Sequence, residues 1–243
     1  MIRAILMAAG VGSRISRSIN KPKSTLNVGD TPLIRRTVKM LLSHDIEVAV
    51  VVGFKSDEVR NALNGLDVKF YENPFYRVTN SMASLWFARD FLDNEDMILA
   101  NADVYWGDGI YESIMSCDDD VVMLADESRV KCGDFFFNVV NGILTDYGKE
   151  LTLENRTTEY VGIAKLKGNF ISTFKEHLDK MVSAEQYNLW WENVLYEYNI
   201  DTPIHIVDVS PYFWAEIDYI DDYQRILDYI EAGDVSLKYR EIL

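Results

Sequence analysis

The 243-residue chain is poor in the residues that build covalent or metal frameworks, with two cysteines, Cys117 and Cys132, and three histidines, His44, His177 and His205. The thiols lie apart and lack metal-ligand spacing, so neither a disulfide scaffold nor a zinc site is expected, and both should stay unpaired. The histidines are scattered, without ligand or triad partners near them in sequence, and are expected to be structural. Basic residues are scarce as well, 24 Lys and Arg against 39 Asp and Glu, for a formal charge of −15. That balance repels nucleic acid and anionic membrane surfaces unless a basic patch overrides it, and the sequence has no such patch. No apolar run approaches the roughly 18 residues of a membrane span. Repeats, low-complexity tracts and proline-rich linkers are missing, with five prolines in all. At this length, with 48% apolar and 26% charged residues, the totals fit one large soluble α/β domain, or a domain with a small insertion, able to bury a full core.

What the chain does have is concentrated at its front. Leu6-Met7-Ala8-Ala9-Gly10-Val11-Gly12-Ser13-Arg14 follows an apolar run from Ile2 to Met7, and Lys21-Pro22-Lys23 comes soon after. A strand that opens into Ala and Gly lets backbone N–H groups close on an anion, so the stretch reads as a phosphate cradle. Arg14 as a planar fork and Lys23 as a point charge flank it within reach of a polyphosphate. With Arg17 and Lys21 they gather four cations in ten positions of an acidic chain. Two other glycine loops are excluded. The dinucleotide fingerprint needs a small residue where Ile15 stands and an acid where Gly53-Phe54 stands, and the P-loop needs Gly where Pro22 precedes Lys23-Ser24. A signal peptide would have to run through the loop, so a cytoplasmic location is expected.

In chain order, strand and helix alternate. Thr31-Pro32 supplies an N-cap and a first-turn proline, and Leu33, Ile34, Thr37, Val38, Leu41 and Leu42 recur at helical spacing. Glu47 to Gly53 is a continuous β-branched run, as for a parallel strand covered on both faces. Ser56 is the expected cap of a short helix, and Asp67 to Tyr71 the third strand. This βαβαβ start predicts an α/β fold with a doubly wound, mostly parallel sheet and ligands at the carboxyl ends of its strands. Asn80-Ser81 opens a helix whose N-terminal Asn80, Ser81 and Ser84 serve equally as caps or as contacts to a nucleobase or phosphate. Asp103 lies just past a buried strand, Asp96 to Asn101. It is a candidate Mg²⁺ ligand, since Mg²⁺ on a nucleotide takes one or two carboxylates besides phosphate and water.

Val121 to Leu124 is a further strand, and Phe135 to Val140, Asn141-Gly142 and Ile143 to Thr145 predict a type I′ hairpin. The hairpin breaks the alternation and is expected as a small antiparallel β extension over one side of the cleft. Glu159 to Lys165 should rejoin the sheet, followed by helices over 169–184 and 186–198, then strands Ile204 to Val209 and Phe213 to Ile217. Glu216 and Asp218 would point to one face of the last strand. Two acids projecting together need a cation beside them, so Asp218 is expected to complete the Mg²⁺ site with Asp103. Tyr223 to Ile230 closes the chain as an amphipathic run with Tyr223, Ile226, Leu227 and Ile230 as its core stripe.

The A-A-G-x-G-S-R loop, Pro22-Lys23, the Asn-rich segment before Ser84-Leu85, Ala102-Asp103, Trp190-Trp191-Glu192-Asn193 and Ala215-Glu216-Ile217-Asp218 together resemble motifs of a known family, in the same order. The family is that of bacterial phosphocholine cytidylyltransferase-like members of the sugar nucleotidyltransferase superfamily, with relatives acting on 2-aminoethylphosphonate. The resemblance implies one domain over 1–243 with the Rossmann-like nucleotidyltransferase fold, in which about 133–165 and 185–200 roof the acceptor side. It implies CTP and a small aminoalkyl phosphate or phosphonate as substrates and Mg²⁺ as cofactor. The acceptor oxygen would attack the α-phosphorus in line and release pyrophosphate. Arg14 and Lys23 would stabilise charge there; Ala8, Ala9, Gly10, Gly12, Ser13, Asn80, Ser84 and Ala102 would surround the nucleotide; Asp103 and Asp218 would hold the metal. Phe135, Tyr160, Trp190 and Trp191 are candidates to surround an ammonium, with Glu159 beside them and Glu216 or Glu192 as counter-charge. Two other readings stay open: a hexose-1-phosphate nucleotidyltransferase, which shares the loop, and a non-catalytic nucleotide-sensing module. No nucleic-acid or membrane-inserted partner is expected, and a homodimer stays open.

Overall fold

The computed structural model describes residues 2–12, 20–197 and 202–233; the predicted Ser13, Arg14 and Arg17 lie outside them. The elements in chain order are β1 (Ile2–Ala8), β2 (Asn27–Val28), β3 (Thr31–Pro32), α1 (Leu33–Ser43), β4 (Glu47–Val52), α2 (Ser56–Ala62) and β5 (Val68–Glu72). They continue with α3 (Ser81–Phe87), β6 (Asp96–Asn101), β7 (Val104–Tyr105), α4 (Asp108–Ser116), β8 (Val121–Asp126), β9 (Phe136–Val140) and β10 (Ile143–Gly148). The last are β11 (Thr158–Leu166), α5 (Gly168–Ser183), α6 (Asn193–Tyr196), β12 (His205–Asp208), β13 (Ala215–Glu216) and α7 (Ile220–Glu231).

The main sheet has the order β5-β4-β1-β6-β11-β8-β12-β10-β9. Its first four strands are parallel, and β1, β4 and β6 carry the buried apolar runs expected of strands covered on both faces, whereas β5 is the edge. Successive residues of β1 alternate between two cores. Ile5 and Met7 pack with α3 and α5, whereas Ala4, Leu6 and Ala8 pack with α1, α2 and α4. Helices on both faces make the sheet doubly wound. The chain moves outward from β1 to β4 and β5 and then returns to β6 on the other side of β1, so the order reverses between β1 and β6. At such a switch point the loops beyond the strand ends diverge and leave a crevice. The loop at Gly10–Gly12 and the turn at Asp103 both issue there, with Met7 opposite Asn101 in register.

β11 joins the two halves of the molecule. It runs antiparallel between β6 and β8, while its first residues, Thr158 and Glu159, pair with Phe137 and Phe136 of the hairpin. The turn residues Asn141 and Gly142 have φ 53° and 78°, as a type I′ turn demands. The pairing of β11 with β8 slips between Tyr160 and Ala164, around Gly162 at φ 87°. A side chain at Gly162 would be strained and would approach Asn101 Nδ2 to 3.0 Å.

Four expectations change. Thr31 belongs to a two-residue strand pair and Pro32 takes the N-cap of α1; Lys55, left-handed at φ 48°, takes that of α2 in place of Ser56. The helix expected over 186–198 is reduced to Asn193–Tyr196. The carbonyls of Tyr187 and Leu189 instead accept the N–H groups of Asn80 and Met82, at 2.9 and 3.2 Å, so that segment satisfies the start of α3. Of Phe213 to Ile217, only Ala215–Glu216 is strand, and it pairs with β7 outside the main sheet. His44 stacks on Tyr111 and lies 2.9 Å from Asp108, His205 lies 3.3 Å from Asp119, and Cys117 and Cys132 are both free. Among the described residues no helix is long and apolar enough to cross a membrane.

Candidate active site

A cleft of about 500 Å³ opens at the switch point and runs beneath the hairpin. One end is built from the ends of β1, β6 and β13. Gly10, Val11 and Gly12 form its floor. Pro22 directs the chain into a short helical turn, Lys23–Thr25, and sends the Lys23 side chain past Gly12. A Cβ on Gly12, which has φ 63°, would stand 2.8 Å from Lys23 Cε, so only glycine leaves that stem its path. The Lys23 ammonium then lies between two carboxylates, hydrogen-bonded to Asp218 Oδ1 and 3.3 Å from Asp103 Oδ2. Asp103 and Asp218 are 115 positions apart in sequence. Their segments are joined by the pairing of β13 with β7 and by the Ile217 N–H donating to the Asp103 carbonyl at 3.0 Å.

Burial opposes charge on Lys23, but Asp103 and Asp218 outweigh it and raise the ammonium's pKa above its ordinary value. Burial drives the half-buried Glu216 carboxyl well above the carboxylate range, and the negative charges of Asp103 and Asp218 add to the effect. Glu192, 6% exposed, is pushed up to about 7 by burial, although Asn101 and Tyr160 favour its ionised form. The carboxylates of Asp103 and Asp218 converge on the Lys23 ammonium and are the hard oxygen donors at this end of the cleft. Among the described residues no group of three or more His, Cys, Asp or Glu has metal-holding geometry. Two carboxylates suit a Mg²⁺ that brings phosphate and water as its other ligands.

The far end is aromatic. Phe135 is the hub of a ring cluster, with centroids at 5.8 Å to Trp190, 6.2 Å to Tyr196 and 6.4 Å to both Tyr147 and Tyr160. Lys149 pairs with Asp134, and its ammonium stands 5.7 Å over the Trp190 ring.

The structure brings Gly10, Gly12, Lys23, Asn80, Asp103, Phe135, Glu159, Tyr160, Trp190, Glu216 and Asp218 to this one cleft. It does not bring Trp191, which is fully buried and donates its indole N–H to Asn101 Oδ1 at 2.9 Å. Ser84 is also inside the core, accepting from Asn73 Nδ2 at 2.9 Å. Ala8, Ala9 and Ala102 are buried beneath the loop and do not line the cleft. Asn101, Asp134, Lys149, Gly162 and Tyr196 are lining residues that the sequence reading missed. Asn101 ends a buried strand beside the switch point, a signal that was available; Asp134, Lys149 and Gly162 flank or lie on the paired strands β9 to β11, and Tyr196 comes from α6.

The chain is similar along its length to curated proteins. It is 25% identical to the CTP:phosphoglutamine cytidylyltransferase of Campylobacter jejuni over 91% of this chain and 97% of that one. It is also 25% identical to the choline-phosphate cytidylyltransferase of Haemophilus influenzae over 93% and 96% of the two chains. Its fold matches that of the CTP:phosphocholine cytidylyltransferase of Streptococcus pneumoniae with a TM-score of 0.76, at 19% identity over 94% of this chain and 99% of that one. The model of the MobA-like NTP transferase domain matches residues 4–199, and with the glycine loop, the lysine and the paired aspartates in one cleft, the chain belongs to that family of nucleotidyltransferases.

Proposed function

We propose that the protein is a cytidylyltransferase that joins CTP to a small phosphate or phosphonate bearing an ammonium group. The reading is carried by the Lys23 ammonium between Asp103 and Asp218, beside the glycine loop at the switch point. The acceptor oxygen forms a bond to the α-phosphorus of CTP as the bond to the bridging oxygen breaks, and pyrophosphate leaves. The attacking oxygen is already anionic, so no general base is needed and the cleft's lack of histidine among the described residues is no obstacle. Catalysis then rests on alignment and on neutralising charge, the latter assigned to Lys23 and the loop N–H groups, and to Arg14. Nucleotidyltransferases of this family generally use a divalent metal. Asp103 and Asp218 are the residues that would hold Mg²⁺, whose chemistry when bound is to offset the negative charge of the phosphates.

The aromatic end supports an ammonium on the acceptor, because Lys149 already presents one to Trp190 and Asp134. Pyrophosphate release should be measured with each of the four NTPs against phosphocholine, 2-aminoethylphosphonate, phosphoethanolamine, phosphoglutamine and glucose 1-phosphate. CTP with an ammonium-bearing acceptor should be at least a hundredfold faster than any pairing with glucose 1-phosphate. Rapid turnover of glucose 1-phosphate with UTP or dTTP would replace this reading by a hexose-1-phosphate transferase, and no release with any pair would leave a nucleotide-sensing module.

A further inference from the structure

A second hollow of about 160 Å³ lies alongside the cleft and shares Asp134, Glu159, Glu216 and Asp218, from both of its ends, as a common wall. Its opposite wall carries Arg129, Arg225 and Cys132. Two guanidiniums side by side in an acidic protein need anions, and only one of them has its own. Arg129 pairs through Nε with Glu159 Oε2, and Glu159 Oε1 accepts the Asp134 N–H at 3.0 Å, so each oxygen of that carboxylate already has a donor. Of the other acids that line the hollow, Asp222 favours charge on Arg225 but turns one oxygen to the N–H groups of Asp218 and Tyr219, at 3.2 and 2.8 Å.

Arg225 is left over. Its Nη2 donates to the Trp214 carbonyl at 3.3 Å, whereas its buried Nε has no hydrogen-bond partner. Burial and then the like charge of Arg129 lower its pKa from the ordinary value. An unpartnered buried donor costs free energy unless something supplies the acceptor. A planar monoanion matches the guanidinium fork, while the acids already on the shared wall disfavour a dianion such as a second phosphate.

We propose that this hollow takes a carboxylate of the acceptor, held by Arg225 with Arg129 beside it. The acceptor class is then a phosphorylated amino acid or a similarly amphoteric molecule. The inference rests on the cytidylyltransferase reading for the identity of the ligand as acceptor, but the hollow itself is independent of it. Cys132, which lines the hollow and is exposed, gives a readout that needs no turnover, and the half-buried Cys117 lies outside the hollow as an internal control.

The test uses pairs that differ only by the carboxylate: O-phospho-L-serine against phosphoethanolamine, and O-phospho-L-homoserine against 3-aminopropyl phosphate. With CTP, at least one carboxylated member should exceed its partner at least tenfold in kcat/KM. It should also slow iodoacetamide labelling of Cys132, followed by peptide mass spectrometry, without changing Cys117. Arg225→Gln should remove both advantages, an effect of roughly ten- to hundredfold on KM for a charged hydrogen bond, with the decarboxylated partner unaffected. Arg225→Lys, which keeps the charge and loses the fork, should fall between. Equal turnover and equal protection within both pairs would overturn the inference while leaving the transferase reading intact. Protection of Cys132 by the carboxylated members with no pyrophosphate from any acceptor would uphold the hollow and end the transferase reading. The labelling of the unmodified protein decides the matter even if Arg225→Gln fails to fold.

Discussion

Replacing Lys23 by methionine keeps the length of the stem against Gly12 and removes the charge between Asp103 and Asp218. At 3.3 Å and an effective dielectric constant of about 20, the Lys23–Asp103 attraction alone is roughly 5 kcal/mol before desolvation. Desolvation of the ammonium, whose side chain is 10% exposed, cancels part of that, and the aspartates, at 23% and 19%, keep some water. The net cost should be about 2 kcal/mol, which for a chain of this size lowers Tm by about 4–8 °C. Turnover should fall roughly a hundredfold or more, corresponding to about 3 kcal/mol of lost transition-state stabilisation. The response to Mg²⁺ without nucleotide should go the other way. In the unaltered protein a metal must displace the ammonium; in Lys23→Met no ammonium stands between the two carboxylates. A site with Kd of about 1 mM would return about 1.4 kcal/mol in 10 mM Mg²⁺. Differential scanning calorimetry with and without Mg²⁺, beside pyrophosphate release, reads all three effects. A turnover loss below tenfold, or the same Mg²⁺ response in both proteins, would refute the reasoning.

Glu192 is held at a pKa of about 7 against an ordinary 4.5, so the native state binds its proton more tightly than the unfolded chain. Its ionisation therefore removes stability as pH rises from about 4.5 to 7, and at about 1.4 kcal/mol per pH unit the loss reaches roughly 3 kcal/mol above that window. Glu192→Gln should gain on the unaltered protein across those pH values and run parallel to it above them in chemical denaturation; a gap that does not change with pH would contradict the shift. Trp190→Ala should raise the acceptor KM about 2- to 30-fold and leave that for CTP unchanged. Trp191→Ala should instead cost about 3–5 kcal/mol of stability, and an acceptor effect without a lower Tm would show that its burial has been misread. Gly162→Ala should destabilise by about 1–3 kcal/mol through its φ of 87° and the approach to Asn101; a Tm unchanged within 1 °C would count against the bulge.

The nucleotide end of the cleft was legible in the sequence because its parts are local or lie at strand ends. Gly10, Gly12 and Lys23 sit within fourteen positions, and Asp103 follows a strand whose apolar run marks it as buried. Asp218 was singled out from its two-residue offset to Glu216, although only Glu216 stands on a strand, one of two residues rather than five, and Asp218 lies beyond its end. The aromatic end was half legible. Periodicity put Trp190 and Trp191 on one helix, where adjacent residues are hard to sort. The structure replaces that helix before Asn193 by a run of turns, in which Trp190 lines the cleft while Trp191 goes to the core. The carbonyls of Tyr187 and Leu189 in these turns serve the start of α3, a tertiary demand that no local pattern records. Arg129 and Arg225 carried no signal either, since 96 positions separate them and each looks in sequence like a surface cation.

The two lysines of the cleft differ in what it takes to move them, and that difference bears on the proposed order of events. Lys149 and Asp134 have side chains 34% and 53% exposed, and a pair so wet is held by less than about 1 kcal/mol. An acceptor ammonium can exchange for Lys149 over Trp190 at little cost, and the freed lysine remains near enough to meet the acceptor's anionic side. Lys23 is held by two carboxylates in a far drier place, so nothing of single charge displaces it. A metal carried on a triphosphate can, because it brings two positive charges for the aspartates and an anion for the released ammonium. On the proposed reaction, nucleotide binding is therefore the costly exchange and the one that turns Lys23 towards the α-phosphorus. Acceptor binding before CTP should be weak and insensitive to Lys23→Met, whereas acceptor affinity measured by calorimetry with CTP and Mg²⁺ present should fall in that variant. Equal acceptor affinity in both proteins under both conditions would separate the two exchanges and remove the ordering.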